Sequence, residues 1–382
     1  MKHLKFLIGF ILLVLTALAS FGTFSLPRVE KGDSDRFSAE RASKHIEVMS
    51  KVPHSVEHPV ERAQVRRYLY DILEDMGGEP EIHEYDSIKF RYGGYFDIGN
   101  VYCQFDPLSG PADSYIMMVA HFDSRFRQTK LQKTVYSYGA GDDAYGVGSI
   151  LELLSQALKY RDEWHQGVRI LFTDSEENAL DGMKCAAKYN PELFENVGYV
   201  VNLESRGMNG PVLLFETSAN NENVLDLYSE AKAPYGYSLT TVVYRFLPNN
   251  TDFTIVKDSI PGINFSTIDN INYYHVDDDN FENINLATIQ HYGAQIEPIL
   301  EEFLTSGEYR DPDALKGDED LVFFTVPILG IFSFTKPQFT LFCSVVFALF
   351  CLALVLNISA RNATMKGVLK KALVIFLSSL LV

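Results

Sequence analysis

Three stretches between residues 115 and 177 carry the side chains of this chain that are best suited to chemistry. They contribute one imidazole and several carboxylates, and no cysteine lies among them. Such a donor set suits a hard-to-borderline divalent ion, most often zinc in hydrolases. The number of carboxylates favours two ions, because one carboxylate can bridge ions about 3.5–4 Å apart. The side chains concerned are His121, Asp123, Asp142, Asp143, Asp174, Glu176 and Glu177.

The adjacent Glu176 and Glu177 indicate a division of roles. In a metal hydrolase one carboxylate can hold the ion, while an uncoordinated neighbour takes a proton from the water at that ion. The alternative is that these acids lie in solvated loops, which is the common situation for a single Asp or Glu. Their shared placement at the ends of predicted elements argues against that alternative for the group as a whole.

The elements that must position these side chains are two short strands and a helix. Apolar runs at Tyr115–Ala120 and Val168–Phe172 predict strands, and each run ends in the polar residues described above. A Gly-rich turn holding Asp142 and Asp143 precedes a helix predicted from about Tyr145 to Tyr160. This order indicates an α/β sheet, in which ligand groups gather outside the carboxyl ends of the strands. The three stretches are therefore expected to meet at one site.

Five segments make the pattern more specific, namely HFDS, GAGDDAYGVG, DSEE, NLES and YYHVDDD. In this order and at these intervals they resemble the M28 family of zinc aminopeptidases, and in particular its membrane-bound branch. The resemblance covers roughly residues 40–305. It implies a three-layer α/β/α domain of the zinc-exopeptidase type with a mixed, mainly parallel sheet. It also implies two zinc ions as cofactors and peptides as substrates.

The resemblance also implies a set of metal ligands. One ion would be held by His121, Asp142 and Glu204. The other would be held by Asp142, Glu177 and His275, so that Asp142 bridges the two ions. The family often has Asp at the position of Glu204, and Glu is found there in the membrane-bound branch.

Further roles follow from the same resemblance. Glu176 would be the general base, and Tyr274 would hydrogen-bond the developing oxyanion. Asp123 would orient His121 from outside the ligand set. Asp143 would also support the site from outside the ligand set, joined to the bridging aspartate by a cis peptide bond.

Several other segments bear on the site. Residues 124–138 form a polar insertion at its rim, and the sequence leaves open whether this is a gate or a solvated loop. Arg206 has either a substrate backbone or a surface acid as its expected partner. Amphipathic helices are predicted at about 38–52 and 59–76, and a closing helix at 286–304.

The two ends of the chain predict membrane attachment. Residues 1–27 begin with basic residues and continue as an uncharged run, so they are expected to be a signal anchor or signal peptide. Residues 28–310 form the predicted peptidase domain. Residues 311–382 form a predicted linker and a hydrophobic C-terminal region, which is expected to be truncated relative to the family. Within that region Phe339–Leu356 is uncharged and predicts a transmembrane helix. The basic residues at both ends predict a membrane-anchored protein whose domain lies on the non-cytosolic side.

The composition narrows the function classes. The formal net charge is −17, which argues against nucleic-acid binding, because phosphate binding needs a basic surface. The apolar fraction of 47% is ample for a core. The resemblance implies peptide substrates as partners, and the terminal segments add membrane lipid as an expected partner. The sequence leaves the oligomeric state open.

The predicted function is hydrolysis of the N-terminal peptide bond of peptides. Three alternatives stay open. A glutaminyl cyclase-like acyl transferase would share the fold and use one zinc ion. Another zinc exopeptidase, such as a dipeptidase or carboxypeptidase, would share the metal centre. A non-enzymatic, receptor-like module would be expected to have lost ligands, whereas all five ligand positions are filled in this chain.

Overall fold

The structure is a computed structural model that describes residues 2–22, 25–247, 249–326, 328–360 and 364–379. Its internal contacts divide the chain into two compact units, Met1–Ser333 and Phe334–Val382. All of the predicted site residues belong to the first unit.

The first unit is built on a seven-stranded sheet. The described strands are β1 Glu81–Lys89, β2 Tyr95–Phe105, β3 Tyr115–His121, β4 Gln128–Lys130, β5 Lys133–Val135, β6 Gly167–Thr173, β7 Val197–Ser205, β8 Leu213–Thr217, β9 Gly262–Thr267, β10 Val322–Val326 and β11 Gly330–Phe334. The sheet has the order β1-β2-β6-β3-β7-β9-β8. Strands β6, β3, β7 and β9 are paired in parallel, whereas β1, β2 and β8 make antiparallel pairs at the edges. The prediction of a mixed sheet with a parallel centre is confirmed.

Helices cover both faces of this sheet. The described helices are α1 Lys2–Gly22, α2 Ala39–Met49, α3 Pro59–Asp75, α4 Ala144–Ala157, α5 Glu176–Ala179, α6 Asp181–Tyr189, α7 Glu222–Tyr228, α8 Ser238–Tyr244, α9 Phe253–Val256, α10 Leu286–Thr305, α11 Lys336–Ser359 and α12 Met365–Ser379. Helices α2, α4 and α10 pack together, and α6 packs with α9. The predicted helices correspond to α2, α3, α4 and α10, with ends that differ by a few residues.

Strand β3 shows why the fold has three layers. Successive side chains of a strand point to opposite faces of the sheet. Accordingly, Ile116 and Met118 belong to one hydrophobic cluster, and Met117 and Val119 belong to another. All four are fully buried. A strand that is covered on both faces is a continuous apolar run, which is the pattern that predicted β3 from the sequence.

The polar insertion at 124–138 is more ordered than a solvated loop. It contains the two-stranded hairpin β4–β5. Phe126 is fully buried and packs with Val56 and Phe90 in a small separate cluster. The insertion is therefore fixed to the domain by an aromatic side chain, although its hairpin is polar and largely exposed.

The first unit continues past residue 310, where the sequence placed the end of the domain. Leu315 and Phe323 are buried in the main core cluster, so the segment that contains them packs as part of the domain. In the second unit, α11 contains the predicted Phe339–Leu356 segment. By length and composition, α11 is the one helix among the described residues that could cross a membrane.

Candidate metal centre

The topology of the sheet brings the predicted site residues together. His121 is the last residue of β3, and Glu204 lies one residue before the end of β7. Glu176 and Glu177 open α5, three residues after β6 ends. Asp142 lies in the turn before α4. Because β6, β3 and β7 are parallel neighbours, their carboxyl ends meet at one edge of the sheet, as the sequence predicted.

The first ligand group consists of His121, Asp142 and Glu204. Nε2 of His121 lies 3.2 Å from Oδ1 of Asp142 and 3.8 Å from Oε2 of Glu204. One ligand atom from each residue falls within 4.8 Å of the other two, and all three side chains are buried. This is a spacing at which one ion can contact all three.

The second ligand group consists of Asp142, Glu177 and His275. Nε2 of His275 lies 3.2 Å from Oδ2 of Asp142 and 3.0 Å from Oε1 of Glu177. Asp142 thus directs one oxygen to His121 and the other to His275. A carboxylate that is shared between two ligand groups in this way is suited to bridge two ions.

The residues of the second group fit a metal ion by a further criterion. Oδ2 of Asp142, Oε1 of Glu177 and Nε2 of His275 are buried, and no hydrogen bond satisfies any of the three atoms. Buried polar atoms are normally paired, and a metal ion is one explanation for a cluster of unpaired ones. Imidazole nitrogen and carboxylate oxygen are also donors that zinc accepts. The side chains present therefore suit the ion that the sequence predicted.

Asp123 connects the first ligand group to the start of α5. Nδ1 of His121 lies 3.0 Å from the backbone oxygen of Asp123 and 3.5 Å from its Oδ1. The same Oδ1 accepts a hydrogen bond from the backbone N–H of Glu176 at 2.9 Å. A partner on Nδ1 fixes the orientation of an imidazole whose Nε2 is the ligand. The closest partner is the backbone of Asp123 and not its side chain.

The turn that carries Asp142 is held by two carboxylates. Asp143 accepts a hydrogen bond from the N–H of Gly146 at 3.1 Å and so caps α4. Asp279 accepts from the N–H of Gly141 at 2.5 Å and from the hydroxyl of Ser137 at 2.7 Å. The peptide bond between Asp142 and Asp143 is cis, as the resemblance implied. Burial, and then the charge of Asp142, raise the pKa of Asp279 to about 7.

Arg125 is a site residue that the sequence reasoning did not single out. Its Nη1 donates to Oε2 of Glu177 at 2.7 Å and to the backbone oxygen of Glu177 at 2.9 Å. This leaves Oε1 of Glu177 as the oxygen that faces His275. A basic residue directly after the HFDS segment was the available signal.

Asp174 lies outside both ligand groups, although the sequence grouped it with Glu176 and Glu177. Its Oδ1 lies 3.3 Å from Nη1 of Arg62, and its Oδ2 lies 3.8 Å from Nη1 of Arg66. Both arginines come from α3. Asp174 therefore ties α3 to the end of β6, which is a structural role.

Glu176 and Tyr274 face a cavity of about 460 Å³ beside the two ligand groups. Burial, and then the charge of Glu204, hold the pKa of the Glu176 carboxyl well above its ordinary value. The ring of Tyr274 stacks on the ring of His275, with a centroid separation of 3.5 Å. Burial raises the pKa of Tyr274 well above its ordinary value, so its hydroxyl keeps its proton. The guanidinium carbon of Arg206 lies 5.7 Å from the centroid of the Tyr274 ring.

A three-layer α/β/α fold with buried histidine and carboxylate ligands at the strand ends places the chain in the zinc-exopeptidase class of folds. It is similar to the glutaminyl cyclase of Porphyromonas gingivalis, with a TM-score of 0.57 and 18% identity, over 70% of this chain and 99% of that one. It is also similar to an aminopeptidase from Aneurinibacillus sp. strain AM-1, with a TM-score of 0.57 and 13% identity. This match covers 75% of this chain and 99% of the aminopeptidase. These likenesses establish the fold.

Residues 100–300 match Peptidase family M28, and the chain belongs to this family. It is 31% identical over 260 residues to endoplasmic reticulum metallopeptidase 1 of Homo sapiens. The matched region is 66% of this chain and 27% of that protein. It is 27% identical over 250 residues to a vacuolar membrane protease of Paracoccidioides lutzii. Here the matched region is 64% of this chain and 24% of the protease. The chain therefore spans about a quarter of the length of these relatives. Both relatives agree with the membrane-bound branch that the sequence indicated.

Proposed function

We propose that this M28 peptidase is a zinc-dependent exopeptidase that hydrolyses the N-terminal peptide bond of peptides. The observation that carries the proposal is the pair of ligand groups that share Asp142. His121 and Glu204 complete the first group, and Glu177 and His275 complete the second. Two ions on one bridging carboxylate form the kind of centre that activates water for attack on an amide.

The metal ligands have a simple task in this proposal. Bound zinc would supply a Lewis acid and would lower the pKa of a water molecule. The protein supplies the positions of the ligands. His121 is oriented by its contact with Asp123, and Arg125 leaves one oxygen of Glu177 free for the ion.

Glu176 is the general base in this proposal. It belongs to neither ligand group, its backbone is fixed by Asp123, and its side chain lines the cavity. A raised pKa suits a carboxylate that must take a proton near neutral pH and return it to the leaving amine. Tyr274 lines the same cavity with its hydroxyl protonated, so it can donate to the oxygen of the attacked carbonyl.

The presence of two ligand groups favours a peptidase over a cyclase. A glutaminyl cyclase-like enzyme is expected to need one ion, which either group alone could hold. Such an enzyme would give no reason for a second complete ligand group that shares Asp142. The complete ligand set likewise disfavours a non-enzymatic module.

We also infer that the domain is anchored in a membrane on its non-cytosolic side. The apolar helix α11 and the membrane relatives support the anchoring, and the basic residues at both ends support the orientation. Labelling of a Leu131→Cys variant, at a position 91% exposed, tests the orientation. Labelling by an impermeant reagent that is absent in intact cells and begins once the plasma membrane alone is permeabilised, with organelles still sealed, would contradict it.

The activity is tested by incubating the zinc-loaded chain with a panel of aminoacyl reporters and with the same reporters acetylated at the amine. We expect hydrolysis of the free-amine reporters and no hydrolysis of the acetylated ones. Asp142→Asn, which weakens both ligand groups at once, should abolish the activity. Equal hydrolysis of acetylated reporters would contradict N-terminal exopeptidase action.

A further inference from the structure

The cavity beside the metal centre is lined by basic side chains in a chain that is acidic overall. The sequence has 50 Asp and Glu against 33 Lys and Arg. Yet the lining of this cavity includes Arg91, Arg125, Lys184 and Arg206. We propose that Arg91 and Arg206 bind a carboxylate of the substrate, so that the site selects peptides with a carboxylate close to the scissile bond. The proposal rests on the proposed function and names its substrate class.

Among the described residues, the carboxylates of the cavity form an ion pair with Arg125 but none with Arg91 or Arg206. Every acidic residue in the described lining belongs to the proposed ligands and base, namely Asp142, Glu176, Glu177 and Glu204. Two divalent ions would balance these four charges. The remaining basic side chains would then give the lining of the cavity a positive charge. This charge attracts a substrate carboxylate, and the attraction is stronger in a partly buried cavity than in water.

Arg206 lies in the lining of the cavity and forms no ion pair among the described residues. Its backbone N–H donates to the oxygen of Thr267 at 3.0 Å, and its guanidinium lies against the ring of Tyr274. In the part of the chain that the structure describes, its guanidinium forms no ion pair with a surface acid, and its charge acts on Glu204, which is one of the proposed metal ligands. Its guanidinium is therefore available to a ligand beside the proposed oxyanion donor.

Arg91 also lines the cavity, and its backbone contacts α5. Its backbone N–H donates to Oδ1 of Asn178 at 3.1 Å, and its guanidinium carbon lies 5.5 Å from the centroid of the Phe126 ring. In the described ranges it, too, forms no ion pair. A guanidinium can bind a carboxylate through two parallel hydrogen bonds, which gives both strength and geometric selectivity. Arg125 differs, because its guanidinium already holds Glu177.

Arg127 provides a matched control. It lies on the same insertion as Arg125, but its Nε pairs with Oε1 of Glu57 at 3.1 Å. It is also absent from the lining of the cavity. Replacing Arg127 removes one positive charge from the same insertion without changing the proposed carboxylate site.

The test compares isosteric substrates on the zinc-loaded full chain. Leu-Asp-amide against Leu-Asn-amide probes an acidic side chain after the scissile bond, and Asp-Ala-amide against Asn-Ala-amide probes one before it. Leu-Ala against Leu-Ala-amide probes a free terminal carboxylate. We expect kcat/KM to favour the charged member of at least one pair by about tenfold or more, as for a charge-assisted hydrogen bond.

The double variant Arg91→Gln/Arg206→Gln should bring that ratio close to one, and Arg127→Gln should leave it unchanged. If the double variant does not fold by circular dichroism, the single variant Arg206→Gln decides, and its ratio should fall. Equal kcat/KM values within every pair of the wild-type protein would overturn the proposal. So would a preference that survives in the folded arginine variant.

Binding of the same pairs to the zinc-loaded Glu176→Gln protein, measured by calorimetry, separates this proposal from the proposed function. We expect the charged member to bind about tenfold or more tightly. Selective binding without hydrolysis of any peptide by the wild type would reject the peptidase function and keep the carboxylate site. Hydrolysis without selective turnover or binding would reject the carboxylate site alone.

Discussion

Arg125 and Glu177 form an ion pair inside the candidate metal centre, with Nη1 of the arginine 2.7 Å from Oε2 of the glutamate. The opposite oxygen of Glu177 is the one that faces His275. The two side chains are 15% and 4% exposed, so the pair is shielded from solvent. Arg125 therefore determines which oxygen of Glu177 an ion can bind.

The first prediction removes this restraint. Arg125→Gln should weaken zinc binding at the group of Glu177 and His275 by about 10–100-fold, the range usual for loss of a group that orients a ligand. Zinc affinity measured by competition with a chelator checks this. Arg127→Gln is the control and should bind zinc as the wild type does. Equal affinities in all three proteins would show that Arg125 does not position the ligand.

The second prediction concerns Asp174, the acid that the structure separates from the metal centre. Asp174→Asn leaves Arg62 buried without its anion, so we expect the free energy of unfolding to fall by about 3 kcal/mol. The number of zinc ions bound per chain should not change. Denaturant titration and metal analysis on one preparation measure both. Loss of zinc with unchanged stability would mean that Asp174 is a ligand after all.

The sequence predicted the centre of this fold because its signals are local. Fully buried strands such as β3 are continuous apolar runs in the sequence. The direction of the chain alone then shows which residues lie at the carboxyl end of each strand. The histidines and carboxylates at those ends therefore indicated the candidate site before any geometry was known. The cis bond after Asp142 and the supporting role of Asp123 came from the resemblance and not from the residues themselves.

Other features depend on contacts between distant parts of the chain. Asp174 lies two residues before Glu176, and only the position of α3 shows that it pairs with Arg62. Similarly, the insertion at 124–138 is polar in sequence, but Phe126 fixes it and Arg125 points into the site. The order of residue types along the chain does not show which oppositely charged side chain, distant in sequence, a given Asp or Arg will contact.

The third prediction concerns His291, which belongs to neither ligand group. Its Nδ1 accepts from the N–H of Val212, and its Nε2 donates to the oxygen of Ala233, both at 2.8 Å. The neutral ring is thus fully hydrogen-bonded, and burial lowers its pKa to about 4. Because the unfolded chain takes up this proton first, the stabilisation is complete above about pH 6.5 and is lost as the pH falls towards 4.

Urea unfolding of the wild type and of His291→Asn at pH 7.5 and pH 5 measures this effect. Between the two pH values the free energy of unfolding of the wild type should fall by about 2 kcal/mol more than that of the variant. The size follows because pH 5 lies roughly 1.5 units below the pKa of a histidine in the unfolded chain. If the two proteins lose stability in parallel, His291 does not titrate as its burial requires.

The fourth prediction separates the two adjacent glutamates by kinetics. Glu176→Gln removes the proposed base and should lower kcat by about 10²–10⁴-fold. KM should change little, because the lost interaction belongs to the transition state. Steady-state kinetics at saturating zinc checks this. Near wild-type turnover of Glu176→Gln would assign the proton transfer to another group.

The measurement that bears most directly on the account is the number of zinc ions bound per chain in the wild type, Glu176→Gln and Glu177→Gln. Glu177 lies in a ligand group and Glu176 does not, although the two residues are adjacent. We predict two ions per chain in the wild type and in Glu176→Gln, and fewer than two in Glu177→Gln at limiting zinc. A single ion in the wild type, or loss of zinc from Glu176→Gln while Glu177→Gln keeps both ions, would contradict the account.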